Sequence, residues 1–143
     1  MDASMVKLTV LAGLSAVGTF IAQSLGGWDT AMIALLVIMG IDYVTGVMIA
    51  AVWKKSAKSD SGAVDSRAGF KGLCRKIAIL LFVLIAVQLD SVMQTDGIAR
   101  TAVILFFIGN EGISVIENMG IMGVPLPSAI TKAFEQLRRD KDA

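Results

Sequence analysis

Long apolar stretches with almost no charge are the feature that most restricts how this chain can fold. Residues 6–25 carry no charge beyond Lys7 at their start, and residues 31–52 carry only Asp42. A helix of about 20 residues spans the ~30 Å hydrocarbon core of a bilayer. A mean hydropathy of +0.73 over 143 residues fits this interpretation. We therefore predict an all-α membrane protein.

Two further spans are predicted in the second half of the chain. Residues 77–93 form a short third span, and residues 98–121 form a fourth that polar residues interrupt. The turn between them is short, so these helices should pack antiparallel. Residues 128–143 have apolar residues on one helical face, which predicts an amphipathic tail on the membrane surface or against a neighbour. The membrane domain then covers residues 1–127.

The first span has an alternative interpretation. A cleaved signal peptide also combines a basic residue with a short apolar core, although no typical cleavage site follows within residues 15–27. If this segment does not insert, three spans remain.

Basic residues predict the orientation of the spans, because loops rich in Lys and Arg stay in the cytoplasm. Eleven of the thirteen basic residues fall into the predicted loop 54–76 and the tail after residue 127, which places both, and also the N-terminus, in the cytoplasm. These residues are Lys54, Lys55, Lys58, Arg67, Lys71, Arg75 and Lys76 in the loop, and Lys132, Arg138, Arg139 and Lys141 in the tail.

Asp42 lies at the middle of the second predicted span, where a charged side chain costs roughly 2.5–3.5 kcal/mol. Thr45 and Gly46 follow one turn later and give the same face a hydroxyl and a point of close approach. Asp42 is either protonated, hydrogen-bonded to another helix, or exposed to water in a lumen. An alternative is that Asp42 makes a helix-to-helix hydrogen bond and has no wider role.

The fourth predicted span carries a polar arc of about 120° on a helical wheel. Such a face indicates a water-lined path or contact with other copies, although polar bonds within one copy are an alternative. The arc consists of Arg100, Asn110, Glu111, Ser114, Glu117 and Asn118.

Asp42 and Glu111 each lie near the centre of a span. If the protein forms a water-lined path through the membrane, these two acids are expected to control its opening. No basic residue is predicted at their depth, and Arg100 is about 16 Å from Glu111 along the helix. Both acids are therefore expected to be protonated or hydrogen-bonded in a closed state and ionised in a hydrated one.

Enzyme and metal functions find no support in the sequence. It contains no His, a single Cys, no phosphate-binding loop and no nucleophile beside a base. The basic segment 54–76 lies between two predicted spans, so lipid headgroups are a better partner for it than nucleic acid.

A series of short motifs in a fixed order resembles the toxin-secretion and phage-lysis holins. The strings are GGWDT (26–30), DYVTG (42–46), GFKG and RK (69–76), LD (89–90), RT (100–101), NEG (110–112), IEN (116–118) and GVPLP (123–127). The resemblance covers the chain from about residue 26 to its end.

This resemblance implies a protein without cofactor or catalytic activity that forms homo-oligomers in the bacterial inner membrane. A lesion formed by the assembly would release an endolysin or a large toxin. Asp42 and the polar arc would be buried in the closed assembly and line water in the open one. The rival hypothesis is a small transporter or channel in which Asp42 and Glu111 bind and release protons or cations.

Overall fold

Five helices make up the protein in the computed structural model, which describes residues 2–139. They are α1 (Ala3–Ser24), α2 (Thr30–Met48), α3 (Ser66–Met93), α4 (Ile98–Ile121) and α5 (Ser128–Arg139), and a π-helical turn, Ile49–Trp53, extends α2. No strand occurs within residues 2–139, and the all-α fold is confirmed. The predicted basic residue Lys141 lies outside the described residues.

Local signals explain where the helices begin. Asp29 accepts a hydrogen bond from the Met32 amide at 2.8 Å and caps α2, and Asp65 caps α3 through the Arg67 amide at 2.8 Å. Because α3 begins at Ser66, the predicted loop 54–76 is a loop only as far as Asp65. The basic residues from position 67 to 76 are therefore on the third helix.

The core lies between α2, α3 and α4, with α4 packed against both other helices. Its buried side chains are apolar and come from all three helices, as expected for close packing within one bundle. They include Met32, Leu35 and Met39 of α2, Ile79, Val83 and Ala86 of α3, and Val103, Ile104 and Ile108 of α4.

The outer surface of the bundle is apolar as well. Val37, Val44, Leu81 and Ile85 are all at least half exposed on the outward faces of α2 and α3. Four helices, α1 to α4, are long and apolar enough to cross a membrane. Side chains that face outward in this way are covered by lipid tails in a membrane protein, so their exposure carries no penalty there.

The first helix, α1, stands apart from the bundle. Very little of α1 is buried by the rest of the protein, and Leu8, Leu14 and Phe20 are each more than 60% exposed. Its attachment to the rest of the chain is at its C-terminal end, where Ala22 and Leu25 are buried.

The last helix, α5, packs on α4 of the same chain. Phe134 lies directly over Gly112, where an added β-carbon would come within 2.3 Å of the phenyl ring. Phe134 and Leu137 also pack against the apolar core. The amphipathic helix predicted after residue 127 therefore uses its apolar face within its own chain.

Candidate functional site: an ion-pair cluster between three helices

Lys76 connects the two acids that the sequence analysis singled out. Its Nζ donates a hydrogen bond to Asp42 Oδ2 at 2.8 Å and a second to Glu111 Oε2. Asp42 is 3% exposed and Glu111 is 4% exposed, so both carboxylates are inside the bundle. Lys76 thus joins α2 and α4 through a side chain of α3.

This contact corrects one expectation of the sequence analysis. Asp42 and Glu111 were expected to lack a basic partner at their depth, and that expectation is wrong. The reason is the early start of α3, which places Lys76 on the helix, where its long side chain reaches into the bundle. The signal in the sequence is the helical spacing of Phe70, Leu73, Cys74 and Ile77, which extends the helix to residues before position 77 and explains the position of Lys76.

Asn118 and Thr45 extend the hydrogen-bond network around Asp42. The Asn118 Nδ2 donates to Asp42 Oδ1 at 3.3 Å and to Thr45 Oγ1 at 2.9 Å, and Thr45 Oγ1 in turn donates to the Ile41 carbonyl at 2.8 Å. No buried side-chain nitrogen or oxygen among the described residues lacks a partner. A fully bonded polar network inside an apolar bundle strongly favours one arrangement of the helices.

A cavity of about 480 Å³ leads from the 54–65 segment to this cluster. Lys58 reaches across it, with its Nζ 3.7 Å from Asp42 Oδ2 and its side chain 45% exposed. The remaining polar arc residues, Asn110, Ser114 and Glu117, line the same cavity, as does Gly46. Two carboxylates and two ammonium groups thus balance each other at the closed end of a polar vestibule.

The other predicted basic residues do not join the cluster. Lys54, Lys55, Lys71 and Arg75 are exposed, and of these only Arg75 lines the vestibule. Because they are exposed, these four side chains are available to water or lipid headgroups.

Arg100 belongs to a second ion pair at the opposite end of α4. Its guanidinium donates to Asp29 Oδ2 at 2.5 Å and to the carbonyls of Leu25 at 2.6 Å and Gly27 at 3.1 Å. The side chain lies over Gly26, whose φ of +81° suits the turn between α1 and α2. The hydrogen bond from Arg100 holds the pKa of Asp29 below its usual 3.8.

The structure therefore divides the predicted polar arc of α4 into two sites. Asp90 fixes the position of Arg100 by accepting hydrogen bonds from the Ala99 amide at 2.9 Å and the Arg100 amide at 2.8 Å. The sequence analysis missed the Arg100–Asp29 pair. The sequence offered a signal for this pair, because Asp29 and Arg100 carry opposite charges and both flank loops with few other basic residues.

An apolar layer separates the two ion-pair sites. Met32, Leu35, Val83 and Ile104 are fully buried between them, and Met39 and Ile108 extend the layer. The vestibule therefore ends at the Lys76 cluster, where these buried apolar side chains begin.

An apolar exterior, paired charges inside and helices of membrane-spanning length define an integral membrane protein of several spans. A comparison with known families places residues 19–139 in the bacteriophage holin family, and the chain belongs to that family. The family consists of membrane lysis proteins and not of enzymes.

Similar proteins occur in species of Clostridium, Listeria and Bacillus and in a Bacillus phage. The chain is 37% identical over 130 residues to an uncharacterised 14.9 kDa protein of Clostridium perfringens, covering 90% of this chain and 92% of that protein. It is 32% identical to an uncharacterised protein of Listeria innocua, covering 91% and 94%. A probable holin of Bacillus phage phi105 is 35% identical over 76% of this chain and 74% of its own. No solved structure matches.

Proposed function

We propose that copies of this protein assemble in the bacterial inner membrane and open a lesion that releases an endolysin or a large toxin. Membership in the holin family supports the class of function, and the similarity to a probable phage holin supports the lytic setting. The structural observation that carries the proposal is the Lys76 cluster, which holds three helices together through charges inside an apolar bundle.

The cluster supports two distinct states of the bundle. In the closed state Lys76 and Lys58 together neutralise Asp42 and Glu111, and the apolar layer beside them excludes water. Moving α3 away would break the ion pairs of Lys76 and leave Lys76 and Glu111 unpaired inside the bundle, which is strongly unfavourable unless water enters at the same time. Opening is therefore coupled to hydration, and a partly open bundle is less stable than either end state.

A single copy cannot surround a water-filled lumen with its own polar helix faces. The exterior of the bundle is apolar, so helices whose charged faces are exposed find water only in a lumen that several copies surround. A lumen built from many copies also passes folded proteins, whereas a path inside one four-helix bundle does not.

The rival hypothesis of a small transporter requires a polar path within a single copy. The vestibule reaches Asp42 and Glu111 from one side only, and fully buried apolar side chains lie beyond them. The geometry therefore favours a protein that acts by rearranging its helices over one that passes single ions.

The orientation predicted from the basic residues is part of the proposal. The 54–65 segment and the vestibule face the cytoplasm, together with both termini, and the Asp29–Arg100 pair lies at the outer surface.

A release assay with cargo of different sizes tests the function. The chain is expressed with a cytoplasmic endolysin, and in parallel with the same endolysin fused to folded domains of increasing mass. We expect abrupt lysis with all but the largest fusions. Cells that express the endolysin alone and receive an ionophore serve as the control, because they lose the membrane potential without a lesion. Loss of small ions without lysis by any endolysin would contradict the proposal and support a transporter.

A further inference from the structure

Residues 54–65, between α2 and α3, form a folded loop and not a loose connection. The Ser56 amide donates a hydrogen bond to the Gly62 carbonyl at 3.0 Å, and the Ser56 hydroxyl accepts one from the Lys58 amide at 3.2 Å. Gly62 has a φ of +71°, and a β-carbon there would collide with the Lys54 carbonyl oxygen, so this turn requires glycine. The loop therefore holds its own shape.

One ion pair ties this loop to the helices around the vestibule. The Lys58 Nζ lies 3.7 Å from Asp42 Oδ2 on α2 and also lies beside Gly46, where an added β-carbon would be 3.8 Å from the ammonium group. Within residues 2–139, no other ion pair or hydrogen bond joins residues 56–65 to α2 or α4. The polar attachment of the loop to the vestibule is therefore this one pair.

The charges at the closed end of the vestibule balance only when Lys58 is in place. Asp42 and Glu111 are both buried, and they share the single ammonium group of Lys76 inside the bundle. Without Lys58, one negative charge would stay uncompensated in a buried position, which is strongly unfavourable unless water enters. The cost applies at any level of the bundle in the bilayer, because protein buries the carboxylates.

The two ammonium groups differ in how easily they can leave. Lys76 is on α3 and its side chain is 12% exposed, whereas Lys58 is on the loop and its side chain is 45% exposed. An ion pair that is open to water gains little energy and is screened by salt, whereas a buried pair is screened much less. Lys58 is therefore the counter-ion that can be withdrawn without moving a helix.

We propose that residues 54–65 form a latch on the vestibule, closed by the attraction between Lys58 and Asp42. Withdrawal of Lys58 admits water to the Lys76 cluster and is the first step of opening. Movement of the loop also widens the vestibule, because five residues of the loop line it, namely Ser56, Lys58, Ser59, Ala63 and Val64. The role in opening rests on the proposed function, whereas the latch itself is a property of a single copy.

A cysteine beside Lys58 reports whether the latch is closed. Gly46→Cys on a Cys74→Ser background places the β-carbon of the new residue in ordinary van der Waals contact with the ammonium group. The protein is placed in phosphatidylcholine nanodiscs with a single copy in each disc, where reagents reach both faces of the bilayer. The labelling rate with a bulky poly(ethylene glycol) maleimide is divided by the rate with N-ethylmaleimide. This access ratio cancels the intrinsic reactivity of the thiol.

We expect the access ratio at Gly46→Cys to lie far below that of a second reporter, Ser61→Cys, in the exposed part of the loop. Lys58→Met keeps most of the side chain and removes the ammonium group, and Asp42→Asn removes its partner while Lys58 stays in place. Each should raise the ratio several-fold, and both together should raise it no further than one alone. Lys55→Gln, which removes an exposed lysine from the same loop, should leave it unchanged.

Salt provides a second test that leaves the latch residues unaltered. Raising the salt concentration from about 0.01 M to about 1 M shortens the Debye length from about 30 Å to about 3 Å. The access ratio at Gly46→Cys should rise with salt, and it should not respond in Lys58→Met. A ratio that Asp42→Asn leaves unchanged, or a response to salt that is equal with and without the Lys58 ammonium group, would overturn the latch. Independent effects of Asp42→Asn and Lys58→Met in the double variant would overturn it as well.

Lysis timing then tests the role of the latch in opening. In cells that co-express an endolysin, Lys58→Met should cause earlier lysis than Lys55→Gln at equal membrane levels. Equal lysis times in a variant whose latch is open by labelling would overturn that role. The labelling needs neither cargo nor a second copy, so a chain that never lyses cells would fail the proposed function and still show the latch.

Discussion

Lys76 on α3 donates a hydrogen bond to Asp42 Oδ2 on α2 over 2.8 Å, although 34 positions separate the two residues in the sequence. The same ammonium group binds Glu111 on α4. One side chain therefore fixes the relative positions of three helices.

Replacing Lys76 with Met should destabilise the closed state more than any other single change in the cluster. The substitution leaves Asp42 and Glu111 buried without their shared cation, and removal of one partner of a buried ion pair costs roughly 3–5 kcal/mol. We expect earlier onset of lysis in cells that co-express an endolysin, followed by optical density. Lys71→Gln is the matched control, since it removes an exposed lysine from the same helix. Equal lysis times for both variants at equal membrane levels would contradict a closing role for Lys76.

Exchanging the charges of Lys76 and Glu111 should recover much of the lost stability. Lys76→Glu alone gathers three carboxylates, and Glu111→Lys alone places two ammonium groups together, so each should be strongly defective. The double exchange restores opposite signs at positions 76 and 111, although it places a carboxylate beside Asp42, so the recovery stays incomplete. The pair should show a coupling energy of about 0.5–3 kcal/mol in a double-mutant cycle. Thermal unfolding in detergent measures it. Additive effects would mean that the two side chains do not interact.

The all-α fold and the amphipathic C-terminal helix were predictable because uncharged stretches and helical periodicity are local properties of the sequence. The partner of Asp42 was not, since it depends on where α3 begins and how far a lysine side chain reaches. The docking of α5 was also hidden. Gly112 permits it by lacking a side chain, and only a folded bundle shows that Phe134 occupies the space.

The segment between α2 and α3 should be reachable only from the cytoplasm. Cys74→Ser with Ser59→Cys provides one reporter in this segment, next to the vestibule. The basic residues around it predict a cytoplasmic location. A membrane-impermeant maleimide should label inverted vesicles and leave intact cells unlabelled. Strong labelling of intact cells before lysis would reverse the topology.

The Asp29–Arg100 pair should stabilise the protein at neutral pH and lose this effect in acid. Because Arg100 lowers the pKa of Asp29 in the folded state, the contribution is complete above the usual value of 3.8 and disappears as the pH falls through the lower folded value. Asp29→Asn preserves the helix cap and removes the charge. The difference in Tm between the wild type and Asp29→Asn should be small, because the Asp29 side chain is half exposed, and should shrink as the pH falls below 3.8. A difference that does not depend on pH would exclude an ion pair as its source.

Removing the charge of each buried acid separately should shift the timing of release without preventing insertion. Asp42→Asn and Glu111→Gln keep size and hydrogen bonding, and in each case Lys76 retains one carboxylate partner. Asp42 also contacts Lys58 and Asn118, whereas the ion pair of Glu111 involves Lys76, so Asp42→Asn should have the larger effect. Endolysin release over time, normalised to the amount of protein in the membrane, measures both variants, with Asp60→Asn as a control at an exposed carboxylate outside the vestibule lining. If both variants reach wild-type membrane levels and release endolysin with an unchanged time course, the charges hold the helices together without controlling the lesion.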